Sequence, residues 1–203
     1  MSGRTKMVGA VFLVFGIFWW PTVGTAGPVT VWSDEFEAGL GSEWTSSSSN
    51  FSVIASSLAF EGSRYLNIIG PSAIGGDTLL LAVSSVGYEN LQFTGKWKIH
   101  DRLESVDHLA FEFSPDGVNW QSLITLSDLP AGEWSSFSAD LPPGADNNPN
   151  LAFRWREEFS GQTDRVLGDN FGLFGTPIPE PATLAMLGLG SCAGIWGFRR
   201  RFS

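Results

Sequence analysis

Apolar residues at every second position are the feature that most limits how this chain folds. The segment 91–100, LQFTGKWKIH, alternates apolar and polar residues except at Gly95. Successive side chains of a strand point to opposite faces of a sheet, so this spacing predicts a half-buried strand. Segments 109–113 and 151–155 repeat the spacing. Residues 77–83 contain a continuous apolar run, which is typical of a strand covered on both faces.

Glycine and proline clusters mark the turns between these strands. No segment between the two ends of the chain has a convincing helical period. Many short strands joined by regular turns predict a sandwich or a barrel, and we expect an all-β, antiparallel jelly-roll β-sandwich over residues 27–176. The turn clusters are Gly75-Gly76, Pro115-Asp116-Gly117, Pro130-Ala131-Gly132 and Pro142-Pro143-Gly144. Further strands are predicted near 29–32, 51–60, 64–69, 121–126, 134–141 and 166–174.

Residues 1–26 have the three parts of a secretory signal peptide. Arg4 and Lys6 supply a positive start, residues 8–20 form an uncharged apolar run, and 24–26 place small residues at the expected cleavage site. The apolar run is shorter than the roughly 20 residues that span a bilayer. This favours a cleaved signal peptide over the alternative, an uncleaved membrane anchor.

The C-terminal residues 177–203 combine a proline motif, an apolar segment and a basic end. The apolar segment, 182–198, carries no charge and is long enough to span a membrane, so we predict a transmembrane helix there. Positive residues stay on the cytoplasmic side of a membrane, which predicts a stop-transfer role for the basic end and a cytoplasmic C-terminus. The proline motif consists of Pro179, Glu180 and Pro181, and the basic end consists of Arg199, Arg200 and Arg201.

This order of proline motif, apolar helix and arginine cluster resembles the PEP-CTERM sorting signal, which ends many otherwise unrelated bacterial surface proteins. The resemblance implies handling by an exosortase-type membrane enzyme that cuts near the proline motif. It also implies an exported protein of the cell envelope or extracellular matrix, in a bacterium that makes exopolysaccharide. The alternative is a plain C-terminal membrane anchor, which would leave the rigid Pro-Glu-Pro sequence without a role.

Charge and cysteine content exclude several classes of protein. The whole chain has a formal charge of −9. Residues 27–176 hold seven Lys and Arg against twenty Asp and Glu, a charge of −13 (7 − 20). Nucleic-acid binding is excluded because it needs a basic stripe. Cys192 is the one cysteine, so residues 27–176 have neither a disulfide nor a cysteine zinc site.

Short motifs between residues 32 and 175, from DEFEAG at 34–39 to DNFGL at 169–173, resemble those of extracellular jelly-roll domains such as carbohydrate-binding modules and MAM-like adhesion domains. Such domains often hold a structural Ca²⁺ between their first and last strands, and the resemblance places its ligands at Glu37 and Asp169. The last strand departs from the pattern, with Asp-Asn rather than paired acids. The alternative is that both carboxylates are solvated surface groups. The motifs are DEFEAG at 34–39 followed by Trp44, FSPDGVNW at 113–120, LAFRW at 151–155 and DNFGL at 169–173.

Exposed tryptophan rings bind sugars by stacking against their C–H faces. Trp44, Trp120 and Trp134 lie at predicted strand ends or turns and are the candidate glycan-stacking residues. Packing in the core is the alternative for each of them. Glu112, Glu157 and Glu158 are available to a glycosidase, which needs two carboxylates across a cleft. The sequence contains no nucleophile-elbow, zinc-protease or nucleotide-binding fingerprint.

These observations favour a non-catalytic interaction module of the cell surface or extracellular matrix, associated with exopolysaccharide. Its sharper form is a glycan-binding domain with a structural Ca²⁺. One alternative is a small carbohydrate-active enzyme, a glycosidase or lyase, on the same scaffold. The other is a purely structural matrix protein without a specific ligand.

Overall fold

A computed structural model of the chain describes residues 26–70 and 76–179. Two antiparallel β-sheets make up this part of the protein, which confirms the predicted all-β jelly-roll sandwich. The strands are β1 (Val29–Asp34), β2 (Trp44–Ser46), β3 (Phe51–Ala55), β4 (Arg64–Ile69), β5 (Thr78–Val83), β6 (Tyr88–Ile99), β7 (His108–Ser114), β8 (Gln121–Leu126), β9 (Ser135–Asp140), β10 (Leu151–Glu158) and β11 (Arg165–Pro177).

The first sheet has the strand order β3-β4-β11-β6-β9, and β1 pairs with β11 beside β4. The second sheet has the order β2-β5-β10-β7-β8. The long strand β11 therefore contacts β1, β4 and β6, which joins the beginning, the middle and the end of the domain in one sheet. Such pairing between distant parts of the chain makes the sandwich a single cooperative unit.

Aromatic rings fill the space between the two sheets. Phe93 of β6 lies 4.7 Å from both Phe111 of β7 and Phe153 of β10, measured between ring centroids. Phe111 also lies 4.6 Å from the ring of Trp155, and Trp155 lies 5.7 Å from Phe171 of β11. Tilted and edge-on contacts at these separations add to the stabilisation that burial provides.

Gly95 interrupts the alternation of β6 for a reason that lies in this core. A Cβ atom at Gly95 would lie 2.5 Å from a ring carbon of Phe171 and 2.6 Å from one of Phe137. The two rings thus occupy the place of its side chain. The break in the pattern marks a position where neighbouring rings are packed against the backbone.

Three predicted details of the strands differ from the structure. Strand β5 is not covered on both faces, because Leu79 and Leu81 are buried while Ala82 is exposed. The predicted strand 51–60 ends at Ala55, and residues 56–63 form a loop instead. The chain turns at Ser56, whose carbonyl accepts from the Ala59 backbone N–H. The backbone N–H groups of Phe60 and Glu61 then donate to the carboxylate of Asp169 rather than to a neighbouring strand. Strand β2 was not predicted, because its three residues are too few to show an alternation.

The helical content of residues 26–70 and 76–179 is one 3₁₀ turn at Pro143–Ala145. Within these residues no helix has the length and apolar character needed to cross a bilayer. The predicted signal peptide at 1–26, all but its last residue, and the predicted transmembrane helix at 182–198 lie outside the described residues. So do Glu180, Pro181 and the arginine cluster.

The core makes a direct prediction for stability. We expect Phe111→Ala to lower the free energy of unfolding by about 3–5 kcal/mol, because it removes a fully buried ring and leaves a cavity among five others. Chemical denaturation followed by tryptophan fluorescence measures the change. Val106→Ala is the control, since Val106 is 62% exposed and should change stability by less than about 0.5 kcal/mol. Equal effects of the two substitutions would contradict this description of the core.

Candidate functional site

Trp44, one of the three candidate stacking residues, lies in the core. Its side chain is 6% exposed and packs against Trp32, Phe36 and Phe171. Its indole N–H donates to Asp34 Oδ2 at 2.7 Å, which satisfies the polar edge of the ring. The expectation that Trp44 presents a ring to a sugar is therefore wrong. A strand-end position in the sequence did not reveal that β2 places it inward.

Trp134 is partly exposed on the side of the first sheet. It precedes β9, and its ring packs edge-on against Phe60 with 5.8 Å between centroids. Its indole N–H donates to the carbonyl oxygen of Leu58 at 3.1 Å, which ties it to the 56–63 loop. The ammonium of Lys96 lies 4.6 Å from the centroid of the Phe60 ring. Trp134 thus helps to hold this loop on the sheet.

Trp120 is partly exposed on the outer face of the second sheet. The guanidinium carbon of Arg154 lies 4.1 Å from the centroid of its ring, a cation–π contact. Arg154 belongs to β10 and stands opposite Glu112 of β7 in the antiparallel register. The structure therefore brings one predicted stacking residue together with two charged residues from neighbouring strands.

Glu112 is the centre of an ion-pair network on this face. Arg154 Nε donates to Glu112 Oε2 at 2.6 Å, and Arg156 contacts both oxygens of Glu112 at 3.4 Å. Arg156 Nη1 also pairs with Glu158. We call Trp120, Arg154, Glu112, Arg156 and Glu158 the Arg154 face.

The alternation of β10 is what places these residues together. Arg154, Arg156 and Glu158 point away from the core, while Phe153 and Trp155 point into it. One strand therefore supplies both the aromatic core and the charged outer face.

The arginines control the ionisation of Glu112. Its burial, with the residue only 7% exposed, would by itself raise the pKa of the carboxyl. The hydrogen bonds and positive charges of Arg154 and Arg156 outweigh burial and hold the pKa of Glu112 below its ordinary value of 4.5. The same pairing, led by the hydrogen bond to Glu112, raises the pKa of Arg156. The carboxylate is thus kept ionised.

The hairpin between β7 and β8 positions Trp120. Asp116 accepts hydrogen bonds from the backbone N–H groups of Val118 and Asn119, at 2.9 and 2.7 Å, and from the side chains of Ser114 and Asn119. These bonds lower the pKa of Asp116, with the Asn119 backbone bond contributing most. Gly117 has a φ of 72°, which the turn needs and glycine adopts without strain. Trp120 follows this ordered turn directly.

Two nitrogens of Arg154 have no hydrogen-bond acceptor in the part of the chain that the structure describes. Its Nε is bound to Glu112, and its side chain is 23% exposed. Within residues 26–70 and 76–179, no group accepts a hydrogen bond from its Nη1 or Nη2. All three nitrogens of Arg156, by contrast, contact Glu112 or Glu158. The Arg154 face therefore presents the Nη1 and Nη2 groups of Arg154 in an orientation that the Nε hydrogen bond fixes.

Glu37 and Asp169, the predicted calcium ligands, hold the same loop. Glu37 accepts hydrogen bonds from the backbone N–H groups of Ser63 and Arg64 and from the Ser63 hydroxyl. These bonds lower the pKa of Glu37. Asp169 accepts from the backbone N–H groups of Phe60, Glu61 and Asn170, yet burial raises its pKa and the negative charge of Glu37 adds to the rise. The two carboxylates are thus close enough to repel each other.

The side chains around Glu37 and Asp169 supply some of the oxygen atoms that a calcium ion needs. The side-chain oxygen of Asn170 is buried and has no hydrogen-bond partner in the described chain, while its amide nitrogen donates to Glu61. Calcium prefers six to eight oxygens, from carboxylates, amides, carbonyls and water. Glu37, Asp169 and Asn170 are oxygen donors of this kind. The described residues contain no group of three or more His, Cys, Asp or Glu side chains arranged around a metal position.

Of the three carboxylates considered for catalysis, Glu112 and Glu158 lie on the outer side of the second sheet, where both pair with Arg156, and Glu157 lies on the inner side. Glu157 is fully buried on the core side of β10 and accepts from Asn50 Nδ2 and the Phe159 backbone N–H, and burial raises its pKa. Glu112 lies on the opposite side of the second sheet, where its pKa is lowered. The two do not face one cleft, as the acid and base of a glycosidase must.

Strand β11 ends at Pro177, where the C-terminal segment 177–203 with the proline motif begins. Pro177 still pairs with Tyr88, and the backbone N–H of Ile178 donates to the carbonyl of Gly87 at 2.8 Å. From residue 177 to residue 201 the chain matches the family described as the PEP-CTERM protein-sorting motif. The chain carries a PEP-CTERM sorting motif. This motif marks an exported protein and implies processing by an exosortase.

Solved structures similar to this chain include carbohydrate-binding and adhesin domains. The K3 adhesin domain of Lys-gingipain from Porphyromonas gingivalis is 14% identical, with a TM-score of 0.56 over 73% of this chain and 99% of that one. The xylan-binding CBM22-1 domain of Paenibacillus barcinonensis Xyn10C is 18% identical, with a TM-score of 0.53 over 77% and 100%. TmCBM61, solved with β-1,4-galactotriose, is 19% identical, with a TM-score of 0.52 over 70% and 94%.

At these identities the likeness establishes the fold alone. The comparison with curated proteins found no match to the sequence. Sequence reasoning missed Arg154 and Arg156 as site residues. The available signal was their position on the outward side of a strand whose other side is apolar.

The Arg154 face makes a prediction about pH. Because the pKa of folded Glu112 lies below 4.5, its ionised form contributes stability above about pH 4.5, and this contribution is lost as the pH falls through the folded value. We expect Glu112→Gln to lower the melting temperature most near pH 7, with a difference from the wild type that shrinks in acid. Thermal denaturation followed by circular dichroism measures it. Glu133→Gln, at a side chain that is 97% exposed, is the control. A difference that grows as the pH falls would contradict the network.

Proposed function

We propose that this exported protein is a non-catalytic carbohydrate-binding module whose binding surface is the Arg154 face. The observation that carries the proposal is the contact of a partly exposed tryptophan, Trp120, with Arg154, whose Nη groups have no partner in the described chain. Sugars are recognised by this combination of an aromatic ring for their C–H faces and fixed polar groups for their hydroxyls. Carbohydrate-binding modules among the structural neighbours support the proposal.

A binding role agrees better with the carboxylates than a catalytic one. Glycoside hydrolysis needs a carboxyl group that is protonated near neutral pH, and Arg154 and Arg156 keep Glu112 ionised. Glu157 has a raised pKa, but it is fully buried and out of reach of a polymer on the surface. Neither residue therefore serves as the proton donor of a glycosidase.

The sorting motif supports a location for this binding module. Before processing, the segment 182–198 would anchor the protein in the inner membrane, with Arg199, Arg200 and Arg201 on the cytoplasmic side. Processing by an exosortase would then release the domain to the cell envelope or the extracellular matrix. We propose exopolysaccharide as its partner, since the resemblance to PEP-CTERM proteins implies a bacterium that makes this polymer.

Glycan binding is tested with the full chain in a polyoxyethylene detergent, which contains no sugar. We expect selective binding to one class of glycan on an array, weakened about tenfold or more by Trp120→Ala, the usual scale for truncating a central tryptophan. Trp134→Ala is the matched control, because Trp134 belongs to the other sheet. No binding by a folded wild-type protein would overturn the proposal and favour a purely structural matrix protein. A loss confined to Trp134→Ala would move the site to the first sheet.

A structural Ca²⁺ at Glu37 and Asp169 stays a prediction, and we propose Asn170 as a third ligand. Two observations support it: the amide oxygen of Asn170 has no hydrogen-bond partner among the described residues, and the negative charge of Glu37 raises the pKa of Asp169. A cation bound only by the folded state raises stability by mass action, so we expect millimolar calcium to raise the melting temperature of the wild type above its value in EDTA. Asp169→Asn should abolish the rise, whereas Asp128→Asn, in a different loop, should keep it. Identical wild-type melting in calcium and EDTA would overturn the calcium site and leave the glycan proposal intact.

A further inference from the structure

We propose that the ligand of the Arg154 face is a neutral polysaccharide, recognised through its hydroxyl groups rather than through carboxylates or sulfates. The inference rests on the proposed function and specifies its ligand class. It comes from how the charges of the face are paired, how the surrounding domain is charged, and which hydrogen-bonding groups remain unused.

The charges of the face cancel within it. Arg154 pairs with Glu112, and Arg156 pairs with both Glu112 and Glu158. Two guanidinium groups thus face two carboxylates, and no positive charge is left over for an anionic ligand. A carboxylate that approached Arg154 would also meet Glu112, whose oxygen lies 2.6 Å from Arg154 Nε. Like charges at such short range disfavour an acidic sugar.

The net negative charge of the rest of the domain also disfavours an acidic ligand. Residues 27–176 carry a charge of −13 (7 − 20). Arg154 and Arg156 are the basic residues in the strands of the second sheet, whereas Lys96 and Lys98 lie on β6 of the first sheet. An anionic polymer would therefore be repelled along most of the surface it has to cross. Salt screens this repulsion over about 8–10 Å but does not turn it into attraction.

The unused groups of the face match a hydroxyl. Nη1 and Nη2 of Arg154 are donors without an acceptor in the described residues. The Glu112 carboxylate beside them is bound by both arginines and is only 7% exposed, and its remaining lone pairs are acceptors. A sugar hydroxyl both donates and accepts, so it is complementary to a donor beside an acceptor. A carboxylate can only accept. The face of the Trp120 ring that Arg154 does not cover supplies the apolar surface for the C–H face of the same sugar.

The guanidinium is oriented before any ligand binds. Its Nε is fixed by Glu112, and its plane is held near the Trp120 ring. Trp120 is in turn positioned by the ordered hairpin at Asp116. Little side-chain entropy remains to be lost on binding, which is what makes hydrogen bonds to neutral hydroxyls effective in water. Lysine cannot reproduce this fixed pair of donors, although it carries the same charge.

Binding of the full chain to immobilised polysaccharides tests the inference. The probes are neutral β-glucan, xylan and galactan and acidic alginate and polygalacturonate, in a polyoxyethylene detergent. We expect binding to at least one neutral polymer, with a Kd that changes less than about twofold between about 20 and 300 mM NaCl. Arg154→Lys should weaken this binding about tenfold or more, the scale of a lost hydrogen bond to a charged group. Arg102→Lys, at an exposed arginine paired with Asp128, is the matched control.

The outcomes separate the ligand class from the proposed function. Binding to the acidic polymers alone, weakened by salt and retained by Arg154→Lys, would overturn the neutral-ligand inference and leave glycan binding standing. Binding to a neutral polymer that Arg154→Lys leaves unchanged would overturn the role of Arg154. No binding to any polymer would overturn both. Melting temperatures of the variants show whether each is folded, and Trp120→Ala provides a second loss-of-binding variant that leaves the ion pairs in place.

Discussion

The contact between aromatic rings from the two sheets is the interaction on which the rest of this structure depends. The rings come from two pairs of consecutive strands, β6 with β7 and β10 with β11, and lie with centroids 4.6 to 6.5 Å apart. They are Phe93, Phe111, Phe153, Trp155 and Phe171. The domain has no disulfide, so burial of these rings must offset the loss of chain entropy. Their size also excludes a side chain at Gly95.

The candidate site follows from this core through the geometry of the strands. When Phe153 and Trp155 point inward, Arg154 and Arg156 must point outward, because successive side chains of a strand alternate. The register then places Glu112 opposite Arg154. Glu112 is only 7% exposed. A shift of one residue in the register would exchange the aromatic and charged faces, so the packing of the core also determines the position of the ion pairs.

Much of the fold could be predicted from the sequence, whereas much less of the candidate site could be predicted. Alternation and turn residues predicted most strands because both depend on neighbouring residues. The 56–63 loop was missed because its backbone binds Asp169, more than a hundred positions along the chain. Trp44 and Trp120 look alike in the sequence, but one is buried beside Phe171 and the other contacts Arg154. Whether a tryptophan near a strand end faces inward depends on which strand it joins.

The sequence by itself determined the class of fold and the presence of the sorting motif. Both are local: a period of two residues makes a strand, and the order of the Pro-Glu-Pro motif, an apolar segment and arginines makes a PEP-CTERM motif at 177–201. Only the tertiary structure decided which polar side chains act together. The Glu112–Arg154 pair joins residues 42 positions apart, and such a contact exists only after β7 and β10 have paired. Pairing depends on the burial of the whole core, which no short stretch of sequence contains.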